Sequence, residues 1–218
     1  MKISSVNRFV LTLLAGVAAI GARGQGSFSI RLVADNDFAV FAGTTNGVSD
    51  LLYQNNYSWG DQIPNLSTLN FLLPLGDNTF YVLGLGGGGQ EDISGTINGV
   101  DMTSISVFMS SDLGPYLTGY EGQNQPGGTV EAGTYDANLA DVQAAFAYLT
   151  WGAPSVSTED AVIQMAAPNG VGFDFAPSTA HLFAFAATAV GVTPSPEPAA
   201  LAFAGLGGLT LLVYRRRK

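Results

Sequence analysis

The segment Ser27-Phe28-Ser29-Ile30-Arg31-Leu32 alternates polar and apolar side chains with a period of two residues. Successive side chains of a β-strand point to opposite faces of a sheet, so this period predicts a strand. Five more segments of this kind follow along the chain, separated by Gly, Asn and Asp residues that are typical of turns. They span residues 38–41, 79–83, 105–109, 171–175 and 181–186.

A single helix is predicted among these strands. Its apolar residues are spaced three, four and three positions apart, which places them on one face of a helix: Leu139, Val142, Phe146 and Leu149. Asn138 or Asp136 is the expected N-cap, and Trp151-Gly152-Ala153-Pro154 ends the helix. We therefore expect a mainly β domain over residues 25–191, a jelly-roll-like β-sandwich with one amphipathic helix and turns at Asn46-Gly47 and Asn98-Gly99.

Charge is distributed very unevenly along the 218 residues, which carry 8 Lys and Arg, 17 Asp and Glu and no Cys. Between residues 25 and 194, Arg31 is the one cation against 16 acids, a net charge of −15. This balance argues against nucleic-acid binding, and the lack of Cys excludes disulfides and thiolate metal sites. We expect the acids to lie mostly in loops and turns, where water solvates them.

The first 24 residues have the features of a secretory signal peptide. Lys2 and Arg8 precede twelve uncharged residues, 9–20, and small residues follow. Twelve helical residues reach about 18 Å, well short of the ~30 Å hydrocarbon core of a membrane. We expect export through the secretion translocon and cleavage by signal peptidase after Ala22 or Gly24. The alternative is a retained N-terminal anchor or a buried helix.

The C-terminus combines a Pro-rich linker (residues 192–198), an uncharged segment (199–214) and a basic tail (215–218). The segment predicts one transmembrane helix, short at about 24 Å, and the tail is expected to stay cytoplasmic. This tail is Arg215, Arg216, Arg217 and Lys218. With Pro196-Glu197-Pro198 before the segment, the arrangement resembles the PEP-CTERM sorting domain of exported bacterial proteins.

That resemblance implies processing by an exosortase, which would cut near Pro196-Glu197-Pro198. It also implies a protein that is tethered transiently to the inner membrane and then reaches the cell surface or an extracellular polysaccharide matrix. The alternative is a plain tail-anchored surface protein. There is a second, looser similarity to galactose-binding-like jelly-roll domains, carried by residues 34–43, Trp59 and residues 76–83. It supports the prediction of a β-sandwich.

Several residues are candidates for binding. Trp59, Tyr57 and Trp151 offer aromatic faces to sugar rings, although aromatic residues are also common in sandwich cores. Asp35 and Asp37 supply carboxylate oxygens that could hold a structural calcium ion, but they lack the full ligand pattern of an EF-hand. No other cofactor is expected.

Two features of the sequence could indicate nucleotide binding or catalysis, but each lacks what that chemistry requires. Residues 84–89 match G-x-G-x-x-G, but Glu91 and Asp92 would repel a pyrophosphate, so we expect a flexible glycine loop. His181 is the one histidine, and no G-x-S-x-G or S-x-x-K motif accompanies it. We expect a non-catalytic structural or adhesive protein. The alternative is a secreted carbohydrate-binding module or a glycoside hydrolase with paired carboxylates.

Overall fold

The computed structural model describes residues 26–35, 37–57, 59–87, 91–120, 135–158 and 166–194. Within these ranges the protein is mainly β, with two antiparallel sheets that we name A and B. The described helices are short: α1 is Trp59–Gln62 and α2 is Leu139–Ala145.

Sheet A contains six of the described strands. They are β1 Ser27–Ala34, β4 Leu69–Leu72, β6 Glu91–Ile97, β7 Val100–Asp101, β10 Ser155–Ser157 and β11 Gly172–Phe175. The spatial order is β10-β11-β6-β1-β4, and β7 pairs with the end of β6. The predicted segments 27–32 and 171–175 are confirmed as β1 and β11.

Sheet B contains six more of the described strands. They are β2 Asp37–Thr44, β3 Gly47–Gln54, β5 Thr79–Leu85, β8 Val107–Ser110, β9 Trp151–Gly152 and β12 Ala180–Ala186. The spatial order is β3-β2-β5-β12-β8-β9. The predicted segments 38–41, 79–83 and 181–186 are confirmed. Segment 105–109 forms a strand only from Val107, because Ile105 closes a 3₁₀ turn over Met102–Ser104.

The main core lies between the two sheets, in a sandwich-like arrangement. It combines buried side chains of β1, β6 and β11 from sheet A with those of β2, β5 and β12 from sheet B. Phe80 of sheet B stacks on Phe28 of sheet A at 4.5 Å between ring centroids, and on Phe185 at 5.2 Å. Fully burying a phenylalanine contributes roughly 1.5–3 kcal/mol, so this stack is a substantial part of the interface.

A second core covers the outer face of sheet B. Every residue of β5 is buried, because its outward side chains Tyr81 and Leu83 pack beneath α2 and the segments beside it. Val142 and Ala145 of α2 are buried there, with Leu139, Phe146 and Leu149 partly buried. The predicted apolar face therefore packs as expected, but the helix is shorter than predicted. It ends at Ala145, a 3₁₀ turn follows over Phe146–Tyr148, and Trp151–Gly152 forms strand β9.

The N-cap of α2 and the turn at Asn98-Gly99 form where the sequence predicts them. The Asn138 side chain accepts a hydrogen bond from the Ala140 N–H at 2.9 Å and caps α2. Asn98 and Gly99 have φ values of 50° and 74°, which suit a tight hairpin between β6 and β7.

Five of the acids are buried and not solvated by water, contrary to the expectation. Asp37, Asp77, Glu91, Asp92 and Asp101 are all at most 9% exposed, and four of the five lie in strands. Hydrogen bonds from nearby donors explain why Asp37, Asp77 and Asp101 can be buried. Asp101, for example, accepts bonds from the Thr103 N–H and hydroxyl at 2.9 and 2.7 Å, so burial does not leave its carboxylate without donors.

Both predicted sorting signals lie outside the described residues. This applies to the signal peptide (1–24), to Pro196-Glu197-Pro198, to the predicted transmembrane helix (199–214) and to the basic tail (215–218). Among the residues that are described, no helix has the length and apolar character needed to cross a bilayer.

Candidate functional site

A groove of about 420 Å³ lies on the outer face of sheet B. Its floor includes Ala184 and Ala186 of β12, and aromatic rings of Tyr81, Phe108 and Trp151 contribute to its lining. This volume is within the ~300–1,000 Å³ that is common for small-ligand sites.

The strand register explains why a groove forms there. Ala184 pairs with Tyr81 on one side and with Phe108 on the other, so a methyl group lies between two large rings. Paired residues point to the same face of a sheet, and the small alanine leaves the space between the rings unfilled. Phe108 remains 59% exposed, which keeps one aromatic face of the groove accessible to solvent.

The opposite wall is a packed aromatic cluster. Phe146 contacts Tyr81 edge-on at 5.7 Å and Trp151 at 5.5 Å between centroids, and Trp151 lies 6.1 Å from Tyr81. Trp151 is placed by the pairing of β9 with β8, opposite Ser110. Because each ring touches the other two, this wall is preorganised and does not depend on a single rotamer.

The polar groups of the groove are hydroxyls. Thr45, Thr79 and Ser106 contribute to the lining, and the Tyr81 hydroxyl donates to the carbonyl oxygen of Thr44. Burial raises the pKa of Tyr81 to about 12, against the effect of a hydrogen bond with Thr79, so the phenol is neutral at physiological pH. Among the described lining residues none carries a charge, which favours an uncharged ligand.

The three predicted sugar-binding aromatics do not share one cavity. Trp151 lies in the groove, whereas Tyr57 is 42% exposed and lines a separate cavity of about 20 Å³ beside Phe38 and Tyr53. Trp59 is the first residue of α1, and its side chain lies outside what the structure describes.

Asp37, one of the two predicted calcium ligands, is fully buried in β2. Its carboxylate accepts hydrogen bonds from the Phe38 N–H at 2.7 Å and from the Asn55 side-chain amide at 2.8 Å. The backbone N–H of Asp35 donates to the carbonyl of Asp92 at 2.9 Å. Within the described ranges no three carboxylate or histidine side chains gather as a metal site would require. The calcium site stays a prediction.

His181 lies at the start of β12, as expected for a strand-end histidine. Its Nδ1 is 2.8 Å from the carbonyl of Ser110 and its Nε2 is 2.9 Å from the Thr179 hydroxyl. Both ring nitrogens are therefore engaged in structural hydrogen bonds.

The expected glycine loop is more ordered at its start than predicted. Gly84 belongs to β5, and the Gly86 N–H donates to the Thr179 carbonyl at 2.9 Å. A Cβ atom at Gly86 would lie 3.0 Å from that oxygen, so close packing explains this glycine. The segment that follows begins strand β6 at Glu91, not the helix that a phosphate-binding loop needs.

Phe108, Ala184 and Ala186 of the groove are not among the site residues predicted from the sequence. One feature of the sequence did indicate a strand that is buried on both sides. This strand is apolar on both faces over Leu182-Phe183-Ala184-Phe185-Ala186. A small residue between larger ones on such a strand leaves a gap unless a neighbour fills it. Which neighbours flank the alanines could not be read from the sequence.

No family model, curated protein or solved structure matches this chain.

Proposed function

We propose that this chain is an exported, exosortase-sorted protein of the cell surface or extracellular matrix, with a structural or adhesive role linked to exopolysaccharide. The observation that carries the proposal is the distribution of charge. Seven of the eight cations lie in residues 1–24 or 215–218, and each group adjoins an uncharged segment. Basic residues beside apolar segments are how a chain is oriented at a membrane.

The described body is compatible with that role. Chain segments pass repeatedly between sheets A and B, which supports the jelly-roll-like assignment made from sequence. The net charge of −15 over residues 25–194 favours the solubility of such a body.

Mass spectrometry of the protein from its own cells tests the proposal. We expect an N-terminus at Arg23 or Gln25 and loss of the segment after the Pro196-Glu197-Pro198 motif. Replacing these three residues with alanine should leave the tail attached, whereas the neighbouring control Pro194→Ala should still be processed. An intact 218-residue chain in the cytosol would contradict the proposal.

A second candidate function, carbohydrate binding, is favoured by the groove. Phe108 and Trp151 present apolar ring faces, and the hydroxyls of Thr45, Thr79 and Ser106 could bond to those of a sugar. The described lining carries no carboxylate, so the groove suits binding of a neutral glycan better than the paired-carboxylate hydrolysis considered above.

A glycan array and affinity electrophoresis in neutral polysaccharides test this second candidate. Phe108→Ala should weaken binding by more than 1 kcal/mol, about fivefold or more, as truncated aromatic anchors do. Val156→Ala is the control, because Val156 is similarly exposed at 61% but lies on sheet A. Equal binding by the two variants would exclude the groove, and release of sugar products would indicate an enzyme instead.

A further inference from the structure

Two exposed tyrosines form a stacked pair beside the helix that covers sheet B. The rings of Tyr116 and Tyr148 lie 5.6 Å apart between centroids and are nearly parallel, at 6°. Tyr116 is 44% exposed and Tyr148 is 69% exposed. Both residues end short 3₁₀ turns, Gly114–Tyr116 and Phe146–Tyr148. The pair therefore brings two reactive phenols together where a dissolved reagent can reach them.

The backbone on each side of the pair is fixed to the rest of the fold. Leu113, directly before the first turn, donates its N–H to the Ala180 carbonyl of β12 at 2.7 Å. Phe146, which begins the second turn, packs against Tyr81 and Trp151. The Thr118 N–H also donates to the Asp141 carboxylate of α2 at 2.8 Å. These contacts hold the two turns side by side, so the proximity of the rings is a property of the fold.

A second tyrosine pair provides a contrast within the same protein. Tyr120 and Tyr135 lie 5.5 Å apart, but their rings meet edge-on at 68° and are only 8% and 6% exposed. Burial raises the pKa of Tyr135 to about 12 and that of Tyr120 well above its ordinary range. The Tyr120 hydroxyl also donates to the Gly86 carbonyl at 2.6 Å. This pair is shielded from a dissolved oxidant, and losing its phenolic protons is unfavourable.

We propose that Tyr116 and Tyr148 are a site of oxidative cross-linking, at which a peroxidase consuming hydrogen peroxide joins the two rings as dityrosine. Each phenol gives one electron and one proton to the oxidant and becomes a phenoxyl radical. The two radicals couple through a carbon–carbon bond between the ring positions next to the hydroxyls. The hydrogens on those carbons then move to the oxygens, and one peroxide is reduced to two waters.

The cross-link would act as a covalent staple in a chain that has no cysteine for a disulfide. It would join residues 32 positions apart, 116 and 148, and so enclose α2, which covers the outer face of sheet B. Closing a loop of this length restricts the unfolded chain, as a disulfide does. The inference does not depend on the sorting proposal, because it concerns the folded body alone.

The test treats the purified full-length chain with a haem peroxidase and hydrogen peroxide. Dityrosine is measured by its fluorescence and located by peptide mapping, where the linked peptides weigh two hydrogens less than their sum. We expect a link between Tyr116 and Tyr148 within single chains, and a melting temperature raised by roughly 10 °C. Circular dichroism before treatment verifies that each variant is folded.

Two variants distinguish this site from general tyrosine oxidation. Tyr148→Phe should abolish the intramolecular dityrosine, whereas Tyr57→Phe, which changes a tyrosine of similar exposure at 42%, should leave its yield unchanged. The proposal is overturned if Tyr148→Phe gives the wild-type yield, or if the links join separate chains only. It is equally overturned if no link between 116 and 148 forms under oxidation.

Discussion

Replacing Gly95 with alanine should destabilise the protein strongly, because a side chain at this position of β6 would collide with the backbone of β1. Gly95 of β6 pairs with Leu32 of β1, and its φ is +138°. A Cβ atom there would overlap the carbonyl oxygen of Arg31 and lie 2.9 Å from the Cα of Leu32. Both obstacles are backbone atoms, which cannot move aside without breaking the pairing of β1 with β6.

The expected cost has two parts. A φ of +138° is rarely adopted by residues other than glycine and costs them about 1–3 kcal/mol, and forcing extra volume into packed structure costs about 1–3 kcal/mol more. The sum of about 2–6 kcal/mol is a large share of the ~5–15 kcal/mol that stabilises a typical domain. At about 2–4 °C per kcal/mol for a domain of this size, the melting temperature should fall by about 10 °C.

Urea denaturation of Gly95→Ala and Gly99→Ala separates the backbone cost from the cost of the steric overlap. Gly99 also has a positive φ, +74°, but a Cβ atom there would meet nothing within 4 Å. Gly99→Ala should therefore lose only the backbone contribution of about 1–2 kcal/mol. Equal losses in the two variants would refute the argument, since the close approach of β1 to β6 would then contribute nothing.

Three further outcomes are expected. Phe80→Ala, which removes the middle ring of the stack between the sheets, should lower the free energy of unfolding by about 3–5 kcal/mol, whereas the exposed Phe108→Ala should change it by less than ~0.5 kcal/mol. Asn138→Ala should cost about 1 kcal/mol in the same denaturation assay through loss of the N-cap of α2, and no change would mean that the cap is not formed. Because the pKa of Tyr81 is higher in the folded protein than in the unfolded chain, the neutral phenol stabilises the fold. This stabilisation is fully present below pH ~10, the pKa of tyrosine in the unfolded chain, and is lost as the pH rises through about 12. Unfolding measured between pH 9 and 12 should thus show a weaker pH dependence in Tyr81→Phe.

The elements that the sequence predicted well are those fixed by near neighbours. The cap at Asn138 and the hairpin turn at Asn98-Gly99 depend on residues within a few positions of each other. Strand β6 was missed because it opens with Glu91 and Asp92, and adjacent carboxylates are more typical of an exposed loop than of a buried strand. Their burial depends on the position of β6 between β1 and β11, both of which are distant in sequence.

The groove was only partly predictable for the same reason. Trp151 could be singled out by its residue type, but its cavity exists because Ala184 falls between Tyr81 and Phe108 across three strands. That register joins positions more than 70 residues apart in the chain. Grouping Trp151 with Tyr57 relied on aromatic character alone, and the fold assigns these two residues to different cavities.

The shortage of cations shapes the interior of the protein as well as its surface. With Arg31 as the one cation among residues 25–194, most buried carboxylates must be satisfied by neutral donors. The Asp37 carboxylate accepts hydrogen bonds from the Phe38 N–H and the Asn55 side-chain amide. The Asp77 carboxylate accepts one from the Ser49 hydroxyl at 2.7 Å. Hydrogen bonds to a charged acceptor are stronger than neutral ones, so amides and hydroxyls can stabilise these carboxylates without ion pairs. The body can therefore keep a strongly anionic composition and still form a core on each side of sheet B.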